Sequence, residues 1–231
     1  MSETQSKVLL ITGASSGIGA ATARAAAAAG WRLALAARSA DKLAALVEEL
    51  GAERAGAIPC DVTDYEAQER MVRTAVERFG GLDAVFANAG IGGQPGGFSG
   101  APPASWRALV EVNILGVAYT LRASLGHLKA ARGHVVITGS VAGRRTLAGS
   151  MYSATKWAVS AIGYGLREEL RGSGVRVTLL EPGLVDTPFF DTPKPEALRP
   201  EDVARSVIYA LEQPPSVDVH EVTILPTPPR S

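Results

Sequence analysis

Val8-Leu9-Leu10-Ile11-Thr12-Gly13-Ala14-Ser15-Ser16-Gly17-Ile18-Gly19 is the stretch whose reading decides the fold. Its first four residues form a short apolar run of strand type, and a helical pattern follows from Ile18 to about Ala29. Between them Gly13, Gly17 and Gly19 are spaced G-x-x-x-G-x-G, which differs from the widespread G-x-G-x-x-G fingerprint. The physical demand is the same. Glycine lets backbone N–H groups approach a pyrophosphate at a helix N-terminus, where the macrodipole favours negative charge. Three glycines flanked by Ser15 and Ser16 exceed what a plain strand–helix turn needs. Gly13, Ser15, Ser16, Gly17, Ile18 and Gly19 are therefore candidate cofactor contacts.

The same alternation continues along the chain. Strand runs are predicted at Arg32–Ala37, Ala55–Pro59, Asp83–Ala87, Val135–Thr138, Val175–Leu180 and Glu221–Leu225. Helices are predicted over Asp41–Leu50 (capped by Ser39 or Asp41), Asp64–Phe79, Ser105–Arg132, Met151–Arg171 and Pro200–Glu212. Strands apolar on both faces and separated by helices indicate a parallel sheet covered on both sides. With right-handed crossovers this predicts a doubly wound α/β Rossmann-type fold with a seven-stranded, mostly parallel sheet. Residues 1–231 read as one domain, since no shift of composition marks a second.

Bulk properties exclude several classes. The 231 residues carry 23 basic and 23 acidic side chains, giving no support for nucleic-acid or membrane-surface binding. No apolar run reads as a membrane span, and the polar start Met1–Lys7 shows no signal peptide. The single cysteine, Cys60, rules out an internal disulfide and fits a reducing, cytoplasmic setting. His127, His134 and His220 are scattered and form no metal-ligand pattern. The tail Pro226–Ser231 reads as an extended or frayed end.

The end of the second strand bears on cofactor choice. A carboxylate there would bind a ribose 2′-hydroxyl and repel a 2′-phosphate. This chain has Ala36-Ala37-Arg38-Ser39 instead. The forked guanidinium of Arg38 and the hydroxyl of Ser39 suit a phosphate, so NADP is expected ahead of NAD.

Tyr152 and Lys156 supply candidate chemistry. Four residues apart in a helix, they differ by roughly 40° around the axis and about 6 Å along it, and project from one face. A tyrosine can protonate a carbonyl oxygen or take the proton in reverse, but its ordinary pKa is about 10. Bringing that near 7 needs about 4 kcal/mol, which one lysine charge about 4 Å away at an effective dielectric of about 20 would provide. Ser140, after the fifth strand, sits at the C-terminal sheet edge where such folds bind ligands and can hold a substrate oxygen. Each residue alone has a bland alternative; their coincidence with the glycine turn carries the weight.

Taken together these motifs resemble the short-chain dehydrogenase/reductase family nearly end to end. Thr12–Gly19 (TGASSGIG), Asp61-Val62, Asn88-Ala89-Gly90, Val112–Gly116 (VNILG), Gly139-Ser140, Tyr152–Lys156 (YSATK) and Pro182–Thr187 (PGLVDT) fall in the family's order. The resemblance implies Asn113 as a fourth catalytic residue that holds a relay water connecting Lys156 to solvent. It also implies that Asp61 and Val62 contact the adenine, that Asn88, Ala89 and Gly90 support the ribose, and that Pro182, Gly183, Val185 and Thr187 border the nicotinamide. Ala87 departs from the family, many of whose members carry an asparagine there. The segment Pro188–Arg199 is short for the family's substrate lid, which implies a more open site.

The expected activity is NADP(H)-dependent interconversion of a secondary alcohol, or a hydroxy acid, and its small-molecule carbonyl compound, with Tyr152 as acid and base. An NAD-linked alcohol or 3-hydroxy acid dehydrogenase and a catalytically silent cofactor sensor are the alternatives. Pocket walls are expected from Gly92–Ser99, Val141–Ser150 and Leu184–Leu198, with Gly92–Gly97 either a mobile loop or a plain flexible connection. Arg144 and Arg145 are candidates for a substrate carboxylate, and Phe189 and Phe190 for an apolar wall. By resemblance the helices at 105–132 and 151–171 pair in a homodimer or homotetramer, for which Ala154, Ala158, Ala161 and Gly165 leave room.

Overall fold

Each apolar run predicted to be a strand is one, and all seven join a single sheet in the order β3-β2-β1-β4-β5-β6-β7, every pair parallel. The computed structural model describes residues 6–227, so the expectations for Met1–Gln5 and for Pro228–Ser231 lie outside the described residues. The strands are β1 (Val8–Thr12), β2 (Arg32–Ala37), β3 (Ala55–Pro59), β4 (Ala84–Ala87), β5 (His134–Thr138), β6 (Arg176–Pro182) and β7 (Glu221–Ile224). The helices are α1 (Gly17–Ala28), α2 (Ala40–Leu50), α3 (Tyr65–Phe79), α4 (Gly97–Gly100), α5 (Pro103–Val110), α6 (Gly116–Ala131), α7 (Met151–Glu169) and α8 (Pro200–Glu212).

Strand periodicity builds the two cores. Leu9 and Ile11 of β1 join Ala20, Ala23 and Ala27 of α1, Leu43 of α2 and Val203 and Val207 of α8 on one face. Val8 and Leu10 join Met71 and Phe79 of α3, Val117 and Leu121 of α6 and Val159 of α7 on the other. The alanines of α1 lie where that helix packs along α8, so their small size sets a close approach. From β1 the chain winds out to β3, then crosses back to β4 on the other side of β1. That reversal opens a crevice at the strands' C-terminal ends.

Three expectations need correction. The helical region predicted at Ser105–Arg132 is α5 and α6 joined through a widened π turn, Glu111–Leu115, which carries Asn113. By length and composition alone this continuous 103–131 stretch could cross a bilayer, against the reading that no apolar run reaches that length. Here Val117, Leu121 and Leu128 join the core on the sheet, and Leu109 is buried at the cleft. Ser39 does precede α2, but its hydroxyl makes no capping bond.

His134, at the start of β5, is buried and its tautomer follows from its neighbours. Thr178 Oγ1 donates to the Val219 carbonyl at 2.6 Å, so it must accept from His134 Nε2 at 2.8 Å. Nδ1 is then the bare nitrogen, and it has no hydrogen-bond partner. Burial, with Arg176 alongside, pushes the imidazole pKa down to about 3. The unfolded chain takes up this proton near pH 6.5 and the folded protein does not, so stability is intact above pH 6.5 and falls as pH drops toward 3. Relative to His134→Gln, the wild type should lose about 1.4 kcal/mol of urea unfolding free energy per pH unit between about pH 6 and pH 4. A pH-independent difference would refute the depressed pKa of the buried imidazole.

Candidate active site

The crevice is a cleft of about 1290 Å³. That exceeds the roughly 300–1,000 Å³ typical of a single small-ligand pocket, and suits a dinucleotide with a second molecule beside it. At one end lies the glycine turn. Gly13 has φ +67°, and a Cβ on it would sit 2.9 Å from the Ala89 Cα, so β1 can turn this tightly against the loop after β4 only with glycine. Gly17 opens α1 at φ +51°. Ser16, its N-cap, makes no side-chain cap, and the first turn contains no acid. The leading N–H groups of α1 therefore keep their donors for an anion, as a pyrophosphate requires. Ser15, Ser16, Gly17 and Ile18 line the cleft; Gly19 does not, being buried beneath the turn against Gly13.

Arg38 and Ser39 line the cleft beyond β2, joined by Asp61 and Val62 beyond β3. The missing cap leaves the Ser39 hydroxyl free. Asp61 closes a turn by accepting from Thr63 N at 3.0 Å and Thr63 Oγ1 at 2.8 Å, and these bonds, with the Arg38 charge nearby, hold its carboxyl below the usual range. Across the central strands runs a polar tie. Thr12 Oγ1 accepts from the backbone N–H groups of Asn88 and Ala89 at 3.0 and 3.2 Å. Asn88 Nδ2 donates to the Thr12 carbonyl at 3.1 Å, and Asn88 Oδ1 accepts from Thr138 Oγ1 at 3.1 Å. Gly90, Pro182, Gly183, Val185 and Thr187 border the same space.

At the other end α7 begins one residue before Tyr152, its N-terminus capped by Ser150, whose hydroxyl accepts from Ser153 N at 3.0 Å. Tyr152, Lys156 and Ser140 converge on the cleft. Ser140 Oγ accepts from Ala142 N at 3.1 Å and makes only a long contact to the Pro182 carbonyl, 3.5 Å. Lys156 Nζ donates to the Thr138 carbonyl at 2.7 Å and lies 5.8 Å from the Tyr152 ring centroid.

With a glycine-lined anion cradle and a Ser–Tyr–Lys cluster at opposite ends of one crevice, comparison with known proteins is direct. The model of the short chain dehydrogenase family matches residues 7–197. The chain belongs to the short-chain dehydrogenase family. It is accordingly an oxidoreductase. An uncharacterized oxidoreductase of Staphylococcus haemolyticus is 39% identical over 231 residues, spanning 98% of this chain and 100% of its own. Among solved structures, an alcohol dehydrogenase from the archaeon Thermococcus sibiricus complexed with 5-hydroxy-NADP is 36% identical, covers 97% of this chain and 99% of its own, and superposes with a TM-score of 0.89. Serine dehydrogenase from Escherichia coli is 30% identical, covers 95% and 97%, and has a TM-score of 0.87.

Electrostatics in this family member differ from the sequence expectation. The Lys156 ammonium makes no hydrogen bond to the Tyr152 hydroxyl; its partner is the Thr138 carbonyl. Burial pushes the Tyr152 phenol pKa up, while the Ser140 hydroxyl pulls it down. Burial likewise lowers Lys156 to about 8. Asn113 is buried behind the cleft. Its Oδ1 accepts from Ile91 N at 2.9 Å, and its Nδ2 donates to the Ile91 carbonyl at 3.0 Å and to Thr155 Oγ1 at 3.1 Å. The side chain is thus a tie between the π turn, the loop after β4 and α7, with one Oδ1 lone pair left for solvent.

Arg144 does not face the cleft. Its Nε donates to both carboxylate oxygens of Glu181, at 2.7 and 2.9 Å, and its Nη2 reaches Tyr164 and Glu221. Arg145 is exposed and also lies outside the lining. The Gly92–Gly97 segment is no featureless connection: Gly97 starts α4, and Gly93 packs on Tyr152. Sequence reasoning missed Thr12, Thr138 and Thr155, although all three stand inside or beside the quoted motifs. It also missed Trp106, Leu109 and Met151 as lining, for which a helical apolar face gave no separate signal. Glu181 is 1% exposed, so removing Arg144 leaves a buried charge without its cation. Arg144→Ala should cost about 3 kcal/mol in denaturant unfolding, at the low end for a buried pair because the guanidinium keeps some solvent. A loss below about 1 kcal/mol would show the pair to be a surface contact.

Proposed function

We propose that this oxidoreductase interconverts a secondary alcohol and its carbonyl compound with NADP(H), using Tyr152 as the proton donor and acceptor. The observation that carries the reading is the convergence of Tyr152, Ser140 and buried Lys156 on one end of a crevice whose other end is a glycine-lined helix N-terminus. The Ser140 proton makes only a long contact to the Pro182 carbonyl and a bond to the Tyr152 phenol, so it can turn to a substrate oxygen placed between them. Tyr152 gives that oxygen a proton in reduction and removes it in oxidation. A bound nicotinamide supplies or takes the hydride and, when oxidised, adds a positive charge to the site. By the family resemblance, a water held at Asn113 Oδ1 would link Lys156 to solvent and restore the proton.

Energetics support the assignment without closing it on lysine alone. A unit charge about 6 Å away at an effective dielectric of about 20 is worth about 3 kcal/mol, or two pKa units. Ser140 and the oxidised nicotinamide add to that. With its pKa at about 8, Lys156 remains largely protonated at neutral pH.

NADP is preferred over NAD because β2 ends in Arg38-Ser39 and carries no carboxylate to repel a 2′-phosphate. The solved Thermococcus sibiricus relative, complexed with an NADP derivative, points the same way. We read the chain as one domain holding both sites, a reading supported among the described residues by a cleft lining that runs from Gly13 to Asp191. A homo-oligomer is supported by Trp157, Tyr164, Ala154 and Ala161, exposed along α7, and by Gly165, where an added Cβ would meet nothing. A cytoplasmic setting suits Cys60, whose buried thiol is pushed up to about 11 and is thereby unreactive.

Tyr152→Phe should lower kcat for NADPH-dependent carbonyl reduction by about 10²–10⁴ while NADPH affinity, read by fluorescence, stays within about twofold. Unchanged turnover would refute the acid–base role, whereas NADPH binding with no oxidation across a broad carbonyl panel, unaffected by Tyr152→Phe, would favour a silent cofactor sensor. Loss of charge-assisted bonds in Arg38→Ala should raise KM for NADPH about 10–100-fold and that for NADH less than about threefold. Equal losses would overturn the NADP preference.

A further inference from the structure

Resting on the alcohol–carbonyl reading of this site, we infer that its substrate is a neutral carbonyl compound bearing an apolar, ring-sized substituent, and that carboxylate substrates such as 3-hydroxy acids are disfavoured. The wall beyond Tyr152 is made by Trp106, Leu109, Leu147, Met151, Leu184 and Phe189. Phe189 packs edge-on against Tyr152, with centroids 5.7 Å apart and planes at 62°, and Phe190 extends the aromatic surface at 5.2 Å. A Cβ on Gly92 would come within 3.0 Å of the Phe189 ring, so glycine there is what lets the ring lie between the loop and Tyr152. Phe189 is 42% exposed, leaving it free to yield that contact surface to a planar group on a substrate.

A second contact limits size. Gly97 and Gly149, at φ +61° and +65°, meet backbone to backbone, and a Cβ on Gly149 would lie 3.1 Å from the Gly97 Cα. This glycine clasp joins the loop after β4 to the loop before α7 and bounds the substrate end.

Charge completes the argument. Among the described residues the basic side chains lining the cleft are Arg38 and Lys156. Arg38 follows β2 and Ser140 follows β5, three strand positions apart, or about 14 Å at the usual strand spacing. Lys156 is held on the Thr138 carbonyl. Arg144 is committed to Glu181 and Glu221. The acids on the lining, Glu111 and Asp191 among them, would repel a substrate carboxylate.

Ethyl benzoylformate and benzoylformate, which share one reacting ketone and differ in charge, test this when NADPH oxidation is followed. The ester should show kcat/KM at least about 30-fold above the acid, since the acid's charge would be desolvated without a partner. Phe189→Ala should narrow the preference for ethyl benzoylformate over ethyl pyruvate by about tenfold, a lost aromatic contact's worth. Equal or better turnover of the acid overturns the inference and leaves carbonyl reduction standing, and its loss in Arg145→Ala would place the carboxylate on that arginine instead. An unchanged aryl-to-alkyl ratio in Phe189→Ala overturns the aromatic wall. Absence of turnover with all three ketones and a panel of simple aldehydes overturns both the inference and the reading beneath it.

Discussion

Lys156 is 6% exposed and donates a hydrogen bond to the Thr138 carbonyl at 2.7 Å, so its charge sits where water screens it poorly. Burying an ammonium is costly unless it is hydrogen-bonded, and the depressed pKa of about 8 reflects that cost. The same residue, Thr138, donates its hydroxyl hydrogen bond to Asn88 Oδ1, and Asn88 Nδ2 donates to the Thr12 carbonyl. One polar chain therefore runs from the lysine across the ends of β5 and β4 to β1, immediately before the glycine turn. The position of the cation and the position of the anion cradle are not independent. They are set by the same three strand ends.

The cradle shows the complementary choice. A helix start with an N-cap that makes no side-chain bond gives up about 1 kcal/mol relative to a capped one. In contrast, α3 and α7 are capped by Asp64 and Ser150. α1, like α2, α4 and α5, has no side-chain cap, and its free leading donors face the cleft beside the unused Ser39 hydroxyl. Local stability has been withheld where a ligand's anionic groups can supply the missing acceptors.

Much of this could be read before the structure. Strands buried on both faces leave continuous apolar runs, so β1, β2 and β4 were legible to within a residue or so. Helical geometry placed Tyr152 beside Lys156 from their spacing alone. What escaped reading depends on distant partners. Nothing near Arg144 announces Glu181, 37 residues further along, yet that carboxylate takes the guanidinium away from the cleft. Gly19 looks like its sister glycines, but only packing shows that it serves the turn and not the cleft. The π turn at Glu111–Leu115 carries no breaker residue, because its cause lies in the bonds Asn113 makes to Ile91 and Thr155.

The diversion of Arg144 bears on specificity as well as stability. The loop from Ser140 to Ser150 must hold a reactive hydroxyl at one end and a pocket wall at the other. Its near half is fixed twice: Arg144 clamps it to β6 through Glu181, and Ser153 Oγ donates to the Ala142 carbonyl at 2.6 Å. Its far half, Leu147–Gly149, is left to meet the Gly97 loop and shape the substrate space. An arginine free to bind a substrate carboxylate would leave Glu181 charged and unmatched inside the sheet layer. Fixing the Ser140 loop and recruiting an acidic substrate thus draw on the same guanidinium, and in this fold the loop has it.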